Sequence, residues 1–197
     1  MSPRSLQGSD DVSQSLQLVG ELLEAAGTPY AIVIVGGAAL NLLGIVTRST
    51  TDVDIIAIAV PPQEPRGLRP PPAKLPEPLL QAARTVAHDL NLAEDWLNTG
   101  PALQWRQGLP TGLETRITWR HFAALTVGLV ARVDLVHLKL YAAADNSPGS
   151  PHARDLLQLQ PTDGELDAAA KWVKTQDANP TFPATVDEVV AYVRAHR

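Results

Sequence analysis

The chain has 197 residues, 45% of them hydrophobic, a formal net charge of −5 and no cysteine. This composition allows one sizeable packed core, and it excludes disulfide bonds, thiolate metal sites and a generally basic nucleic-acid-binding protein. The amino-terminal residues 1–15 lack the apolar core of a signal peptide, and no apolar run is long enough to cross a bilayer. We therefore expect a cytoplasmic protein without a membrane partner.

The first predicted elements alternate between helix and strand. Residues 1–12 are polar and predict a disordered tail. Apolar residues then recur at helical spacing over 13–26, and Gly27 is a suitable stop. The run YAIVIV at 30–35 predicts a buried strand, and AALNLLG at 38–44 predicts a short helix.

The run DVDIIAIAV at 52–60 predicts a second strand, and apolar residues on both of its faces indicate a central strand. Strict alternation puts two acidic side chains on one face, which is costly in a core unless the charges are compensated. The face with these acids is predicted to hold Asp52, Asp54, Ile56, Ile58 and Val60, and the other face Val53, Ile55, Ala57 and Ala59.

The remaining pattern is a long loop, a few mixed elements and a helical end. Residues 61–78 predict an exposed proline-rich loop, 79–90 a helix, 93–98 a further helical turn, and 113–120 with 123–131 an antiparallel strand pair. We divide the chain into a disordered tail (1–12), a core (13–132) and a helical carboxyl-terminal portion packed on that core (133–197).

One chemical arrangement accounts for the two aspartates. Carboxylates two residues apart on a strand are separated by roughly 7 Å, and a divalent cation such as Mg²⁺ between them relieves their repulsion. The pair Gly36 and Gly37 lies between strand and helix, where it lets a phosphate approach backbone N–H groups. Together, these features predict binding of a nucleoside triphosphate with Mg²⁺, for phosphoryl or nucleotidyl transfer.

The stretch GGAALNLLGIVTRSTTDVDI at 36–55 resembles the signature of the nucleotidyltransferase superfamily related to polymerase beta. Its R-x-T-x-D-x-D pattern, at Arg48, Thr50, Asp52 and Asp54, is typical of the branch that contains abortive-infection and type IV toxin nucleotidyltransferases. The segments DWLN at 95–98 and LQPTDGELDAAAKW at 159–172 are similar to a bacterial group of uncharacterised nucleotidyltransferase-like proteins.

Two later segments resemble further motifs of the toxin-like branch. These are DLVHLKLYAAAD, a helix that bears Lys139, and HARDLLQL, a helix that bears Asp155. The resemblance implies that Lys139 neutralises phosphate charge. It also implies that Asp155 completes the metal shell or activates the acceptor. The ordinary alternatives are a surface lysine whose apolar stem packs on the helix and an aspartate that caps a helix or pairs with Arg154.

The resemblance implies an α/β nucleotidyltransferase fold, with a mixed sheet flanked by helices and a helical carboxyl-terminal portion. It implies Mg²⁺- or Mn²⁺-dependent transfer of a nucleoside monophosphate from a nucleoside triphosphate to a hydroxyl of a tRNA 3′ end or a protein. A cognate antitoxin is an implied partner. Asp52 and Asp54 would hold the metal, Gly36 and Gly37 would cradle the phosphates, and Arg48 would steer them.

Several alternatives stay open at this point. Arg48 can be a solvated turn charge, and Ser49 and Thr50, which are candidates for phosphate contact, can instead be turn hydroxyls. The acceptor can be a small molecule, as for antibiotic nucleotidyltransferases. The strand at 123–131 carries no third carboxylate, and this favours a third reading, a nucleotide-binding or regulatory module that keeps the fold without turnover.

Overall fold

The computed structural model describes residues 3–60, 66–146 and 150–197, and it confirms a mixed α/β fold with a helical carboxyl-terminal part. The chain divides into two compact units, drawn from residues 1–106 with 116–130 and from residues 107–115 with 131–197. Among the helices described, none combines the length and the apolar character that a membrane span requires.

The first unit is built on a mixed sheet. The elements up to residue 130 are β1 (Leu6–Gln7), α1 (Gly8–Ala25), β2 (Tyr30–Val35), α2 (Gly36–Leu42), β3 (Ser49–Thr50), β4 (Val53–Val60), β5 (Arg66–Arg69), α3 (Glu77–Leu90), β6 (Leu97–Asn98), α4 (Gln104–Gln107), β7 (Thr118–Phe122) and β8 (Leu125–Leu129). The strands run in the order β5–β4–β2–β8–β7, and β6 pairs with the start of β4. Strand β2 is antiparallel to β4 and parallel to β8.

The core of the first unit joins one face of the sheet to α1, α2 and α3. Leu16 and Leu23 of α1, Leu79 of α3, and Ile34 and Ile55 of the sheet are at most 1% exposed and belong to one contiguous cluster. Removing each such side chain from water stabilises the fold by about 1.5–3 kcal/mol. The apolar runs at 30–35 and 52–60 therefore correctly predicted the centre of the sheet.

The predicted disordered tail over residues 1–12 is wrong for the part that the structure describes. Residues 6 and 7 form β1, which pairs with β3, and α1 begins at Gly8. Leu6 and Val12 are both fully buried, and the backbone N–H of Arg4 donates to the carbonyl of Asn91 at 2.8 Å. Burial of two apolar side chains outweighs the polar composition of this segment, which was the basis of the prediction. Residues 1 and 2 lie outside the described part.

The predicted alternation along residues 52–60 is also wrong beyond Ile55. Between the pairs Val33–Ala57 and Ile34–Ile55, strand β4 contains one extra residue, Ile56, so the register shifts there. A bulge of this kind moves the following side chains to the opposite face. Ile58 accordingly packs against the same cluster as Ile55, whereas strict alternation had placed it on the face of the aspartates.

Other boundaries differ from the predictions in ways that depend on pairing partners. The helix predicted at 38–44 begins two residues earlier, at Gly36. Part of the proline-rich loop forms β5 against the end of β4, while residues 61–65 lie outside the described part. The helical turn predicted at 93–98 ends instead in strand β6, and the strand predicted to start at residue 113 begins at Thr118 after a 3₁₀ turn.

The second unit is helical, as predicted, in its described residues. Helix α5 packs against each of the three helices that follow it. Thr162 and Glu165 form a capping box at the start of α7. A hydrogen bond from Arg132 holds the pKa of the Glu165 carboxyl below its usual value. The helices are α5 (Arg132–Asn146), α6 (Pro151–Gln158), α7 (Asp163–Val173) and α8 (Phe182–His196).

Gly20 of α1 packs directly against the backbone at the end of β7. A Cβ atom at this position would lie 1.7 Å from the carbonyl oxygen of Phe122. We expect Gly20→Ala to lower the free energy of unfolding by about 3 kcal/mol, because α1 must move away from backbone that cannot yield. Chemical denaturation measures this loss. Gly164→Ala, in α7 with no atom within 4 Å of its new methyl group, is the control and should change stability by less than about 1 kcal/mol.

Candidate functional site

The first of the two predicted phosphate-binding glycines lies against the second predicted metal ligand. Val35, the last residue of β2, is the register partner of Asp54. Gly36 follows with φ +75°, and a Cβ atom there would lie 2.3 Å from Oδ2 of Asp54. A side chain there would require the Asp54 carboxylate to move, and the positive φ is strained for any residue other than glycine. The start of α2 and the carboxylate of Asp54 are therefore in close contact.

The second glycine is covered by the polar turn of residues 48–52, which precedes β4. A Cβ atom on Gly37 would lie 2.8 Å from Oγ1 of Thr50 and 3.4 Å from Nη2 of Arg48. The guanidinium of Arg48 and the hydroxyl of Thr50 thus lie over the start of α2. Arg48 is exposed and Thr50 is buried. The turn therefore brings the positive charge of Arg48 into one polar cluster with Asp54 and the two glycines.

Asp52 joins this cluster through Thr50. The Thr50 hydroxyl donates to the backbone carbonyl of Asp52 at 3.2 Å, and it lies 3.4 Å from Oδ1 of the same residue. Asp52 precedes β4, which begins at Val53, so the spacing of two carboxylates on a regular strand does not apply. Asp52 and Asp54 are both half-buried. Ser49 is exposed, and its carbonyl accepts a hydrogen bond from Nη1 of Arg48 at 3.2 Å.

Asn41 is a residue of the cluster that the sequence analysis did not select. It lies inside α2, is 1% exposed, and donates from Nδ2 to the carbonyls of Gly37 at 3.1 Å and Arg48 at 3.0 Å. It therefore fastens the polar turn to the glycine end of the helix. An asparagine amid the apolar residues of a predicted buried helix, four positions after a glycine, was the signal that could have found it.

A second unselected group fixes the head of β4. The backbone N–H of Val53 donates to the carbonyl of Trp96 at 2.5 Å, and the indole of Trp96, which is fully buried, donates to the carbonyl of Ala83 in α3 at 2.9 Å. In the parallel pairing that follows, Asn98 is the partner of Asp54. Helix α3 thereby holds β6, and β6 holds the aspartate end of β4.

The side chains of this cluster fit a divalent cation that is coordinated partly by the protein and partly by a bound substrate. Asp52 and Asp54 supply two carboxylates, while the described residues contain no group of three or more His, Cys, Asp or Glu side chains that could hold a metal ion. Mg²⁺ is commonly bound by one or two carboxylates together with phosphate oxygens and water. A site made of two aspartates therefore fits Mg²⁺ or Mn²⁺ bound with a phosphate ligand, and does not fit a metal held by protein alone.

Lys139 and Asp155 lie in the second unit, where they bind each other. Nζ of Lys139 donates to Oδ2 of Asp155 at 2.7 Å, and the two side chains are 8% and 4% exposed. This pair joins α5 to α6. The contact gives each residue a structural role, and the catalytic roles that the resemblance implies for them stay predictions.

Comparison with known proteins supports the superfamily at a coarse level. Residues 14–103, slightly less than half of the chain, match a family described as nucleotidyltransferase of unknown function (DUF6036). The matched range contains the glycine pair, the polar turn, both aspartates and Asn98. No curated protein and no solved structure matched the chain. The likeness to the abortive-infection and toxin branch stays a prediction.

The role of Asn41 can be measured by removing its amide. We expect Asn41→Ala to lower the free energy of unfolding by about 2–3 kcal/mol, because the buried bond to the Gly37 carbonyl and the part-buried bond to the Arg48 carbonyl are both lost. Amide hydrogen exchange over residues 48–52 should quicken at the same time. Asn146→Ala is the matched control, since Asn146 also donates to the carbonyl four residues earlier but is exposed. Equal losses in the two variants would contradict the role of Asn41.

The pair of Lys139 and Asp155 can be tested by unpairing it. Lys139→Met should lower the free energy of unfolding by about 3–5 kcal/mol, because a buried carboxylate loses its cation, whereas Lys139→Met with Asp155→Leu should recover most of that loss. Lys174→Met breaks a more exposed pair with Asp187 and should cost less than about 1 kcal/mol. Thermal or chemical denaturation of the three variants gives the comparison, and a double variant as unstable as the single one would show that the pair is not the cause.

Proposed function

We propose that the protein is a metal-dependent nucleotidyltransferase that moves a nucleoside monophosphate from a nucleoside triphosphate to an acceptor hydroxyl. The observation that carries this proposal is the contact between Gly36 and the Asp54 carboxylate. It puts backbone that a phosphate can approach next to a group that can hold the phosphate's counter-ion. The family match over residues 14–103 supports the same reaction class.

Each residue of the cluster makes a different contribution to binding the triphosphate. Gly36 and Gly37 leave the backbone at the start of α2 without side chains, so phosphate oxygens can come close. Arg48, exposed and positively charged, pairs with phosphate oxygens, and Ser49 and Thr50 offer hydroxyl groups. Asp52 and Asp54 hold Mg²⁺ or Mn²⁺, which when bound neutralises charge on the phosphate groups.

At the α-phosphorus, the transfer forms one bond and breaks one. An oxygen of the acceptor hydroxyl attacks the α-phosphorus, the bond from that phosphorus to the bridging oxygen breaks, and pyrophosphate leaves with its electron pair. The hydroxyl proton passes to solvent. The chain's contribution is to hold the triphosphate in line with the acceptor, because most of the catalysis in this class comes from positioning and charge.

The proposal extends to the chemical class of the acceptor. The resemblance to toxin-like enzymes suggests a tRNA 3′ end or a protein hydroxyl, and it suggests a cognate antitoxin as partner. A second candidate function is a nucleotide-binding module without turnover. It is favoured by the lack, among the described residues, of a three-membered group of metal-ligating side chains.

The proposal is tested by label transfer from α-labelled nucleoside triphosphates with Mg²⁺, in the presence of total RNA, a protein lysate or a set of small alcohols. We expect label to enter one acceptor pool, and Asp54→Asn to reduce that rate by at least about 100-fold, because the charge that holds the metal is lost. Asp89→Asn, an exposed aspartate on α3, is the control and should transfer at the wild-type rate.

The outcomes separate the two candidate functions. Nucleotide binding without transfer to any pool would favour the module without turnover, and absence of nucleotide binding would contradict both. The double variant of Lys139 and Asp155 adds a further measure. If that variant is stable yet inactive, the pair contributes to the reaction as well as to the fold.

A further inference from the structure

A groove of about 570 Å³ lies beside β4 in the first unit. This volume is within the range of sites that bind small molecules. The residues that come after β5 in the sequence form one wall, those that come after β6 form a second, and α4 forms the third. Besides two alanines, the groove is lined by Pro70, Pro71, Thr99, Gly100, Leu103 and Trp105.

The groove is linked along the chain to the strand partner of Asp54. Asn98 is the register partner of Asp54, and Thr99 and Gly100 follow it directly along the chain. Residues paired directly across two parallel strands point to the same face of the sheet, so the side chains of Asn98 and Asp54 are neighbours on one face. Asn98 lines the cleft that neighbours the groove, and Thr99 lines both, so a ligand in the groove can reach Asn98 past Thr99.

The position of Trp105 is set by the bulge in β4. Ile56 is the extra residue of the bulge, and its carbonyl accepts a hydrogen bond from the indole N–H of Trp105. This bond ties a large flat side chain to a point two residues beyond Asp54. A ring fixed in this way offers a stacking surface at little further cost in conformational freedom.

Asn98 offers a hydrogen-bond donor at the junction. Its Oδ1 accepts from the backbone N–H of Gly100 at 2.7 Å, which fixes the carboxamide. Within the part of the chain that the structure describes, its Nδ2 donates to no other residue. A donor of this kind can bind the oxygen of a ligand that lies between Asp54 and the groove.

The chemistry of the lining selects against a polyanion. No charged side chain lines the groove among the described residues, and Leu103 at its rim is 65% exposed. An RNA ligand gains much of its affinity from cations that neutralise its phosphates. The neighbouring cleft does contain Lys74 and Arg84, but Glu94 and Asp95 line the same cleft and balance their charge.

We propose that this groove binds the acceptor of the transfer, and that the acceptor is an uncharged small molecule with a flat apolar part and a hydroxyl group, in place of the tRNA 3′ end or protein that the resemblance suggests. The inference rests on the proposed function and names its acceptor class. The flat part lies against Trp105 and the prolines, and Nδ2 of Asn98 donates to the hydroxyl oxygen. That oxygen then forms the new bond to the α-phosphorus, pyrophosphate leaves, and the hydroxyl proton passes to solvent.

Binding is tested by NMR on the wild-type chain, with the indole N–H signal of Trp105 as reporter. The probes are phenol, 2-phenylethanol and N-acetyltyrosinamide, all uncharged, and the trinucleotide cytidylyl-cytidylyl-adenosine as a mimic of a tRNA 3′ end. We expect at least one uncharged probe to shift the Trp105 signal saturably, and the trinucleotide to leave it unchanged. A shift with the trinucleotide alone, or with no probe, overturns the inference.

Kinetics separate this inference from the proposed function. Leu103→Asp places a carboxylate at the groove rim and should raise KM for a small hydroxyl acceptor at least 10-fold, with KM for the nucleoside triphosphate unchanged. Leu22→Asp, on an exposed leucine of α1, should change neither constant. If wild-type protein labels RNA or protein and Leu103→Asp has no effect, the groove inference fails while nucleotidyl transfer stands. If wild-type protein labels no acceptor of any class, the proposed function itself fails.

Discussion

The candidate site depends on the register between β2 and β4. Because Val35 pairs with Asp54, the chain leaves the sheet at Gly36 directly against a carboxylate. A shift of one residue in this pairing would turn the aspartate to the opposite face. The apolar residues on both strands fix the register, since Ile34 and Ile55 share one buried face. The packed core of the first unit thus fixes the position of the Asp54 carboxylate.

Around that contact, hydrogen bonds from Asn41 and to Trp96 help to hold the polar turn. Asn41 ties Gly37 to Arg48, and the carbonyl of Trp96 receives the first N–H of β4. Both are buried, where each bond is shielded from water and a missing partner is costly. This arrangement places the exposed side chain of Arg48 in the same cluster as the aspartates.

The sequence was informative where one segment alone decides the structure. Apolar runs predicted β2 and β4, helical spacing predicted the helical end, and the two glycines and two aspartates could be joined into one chemical hypothesis. It was uninformative where a distant partner decides. Strand β6 exists because residues 97 and 98 meet the start of β4, and the bulge at Ile56 leaves no local pattern. Asn41 gave a local signal, a buried polar residue, but its partners at residues 37 and 48 were not predictable from spacing.

The pairing of β1 with β3 has a practical consequence. Leu6 lies opposite Thr50, and Gln7 lies opposite Ser49, so the earliest residues of the chain are the backbone neighbours of the polar turn. A change that disturbs residues 4–7, such as an affinity tag or a truncation, therefore acts on Thr50 through its pairing with Leu6. Recombinant versions intended for binding or transfer measurements should therefore leave residues 4–7 undisturbed, and a preparation that lacks them is a poor reference for the site.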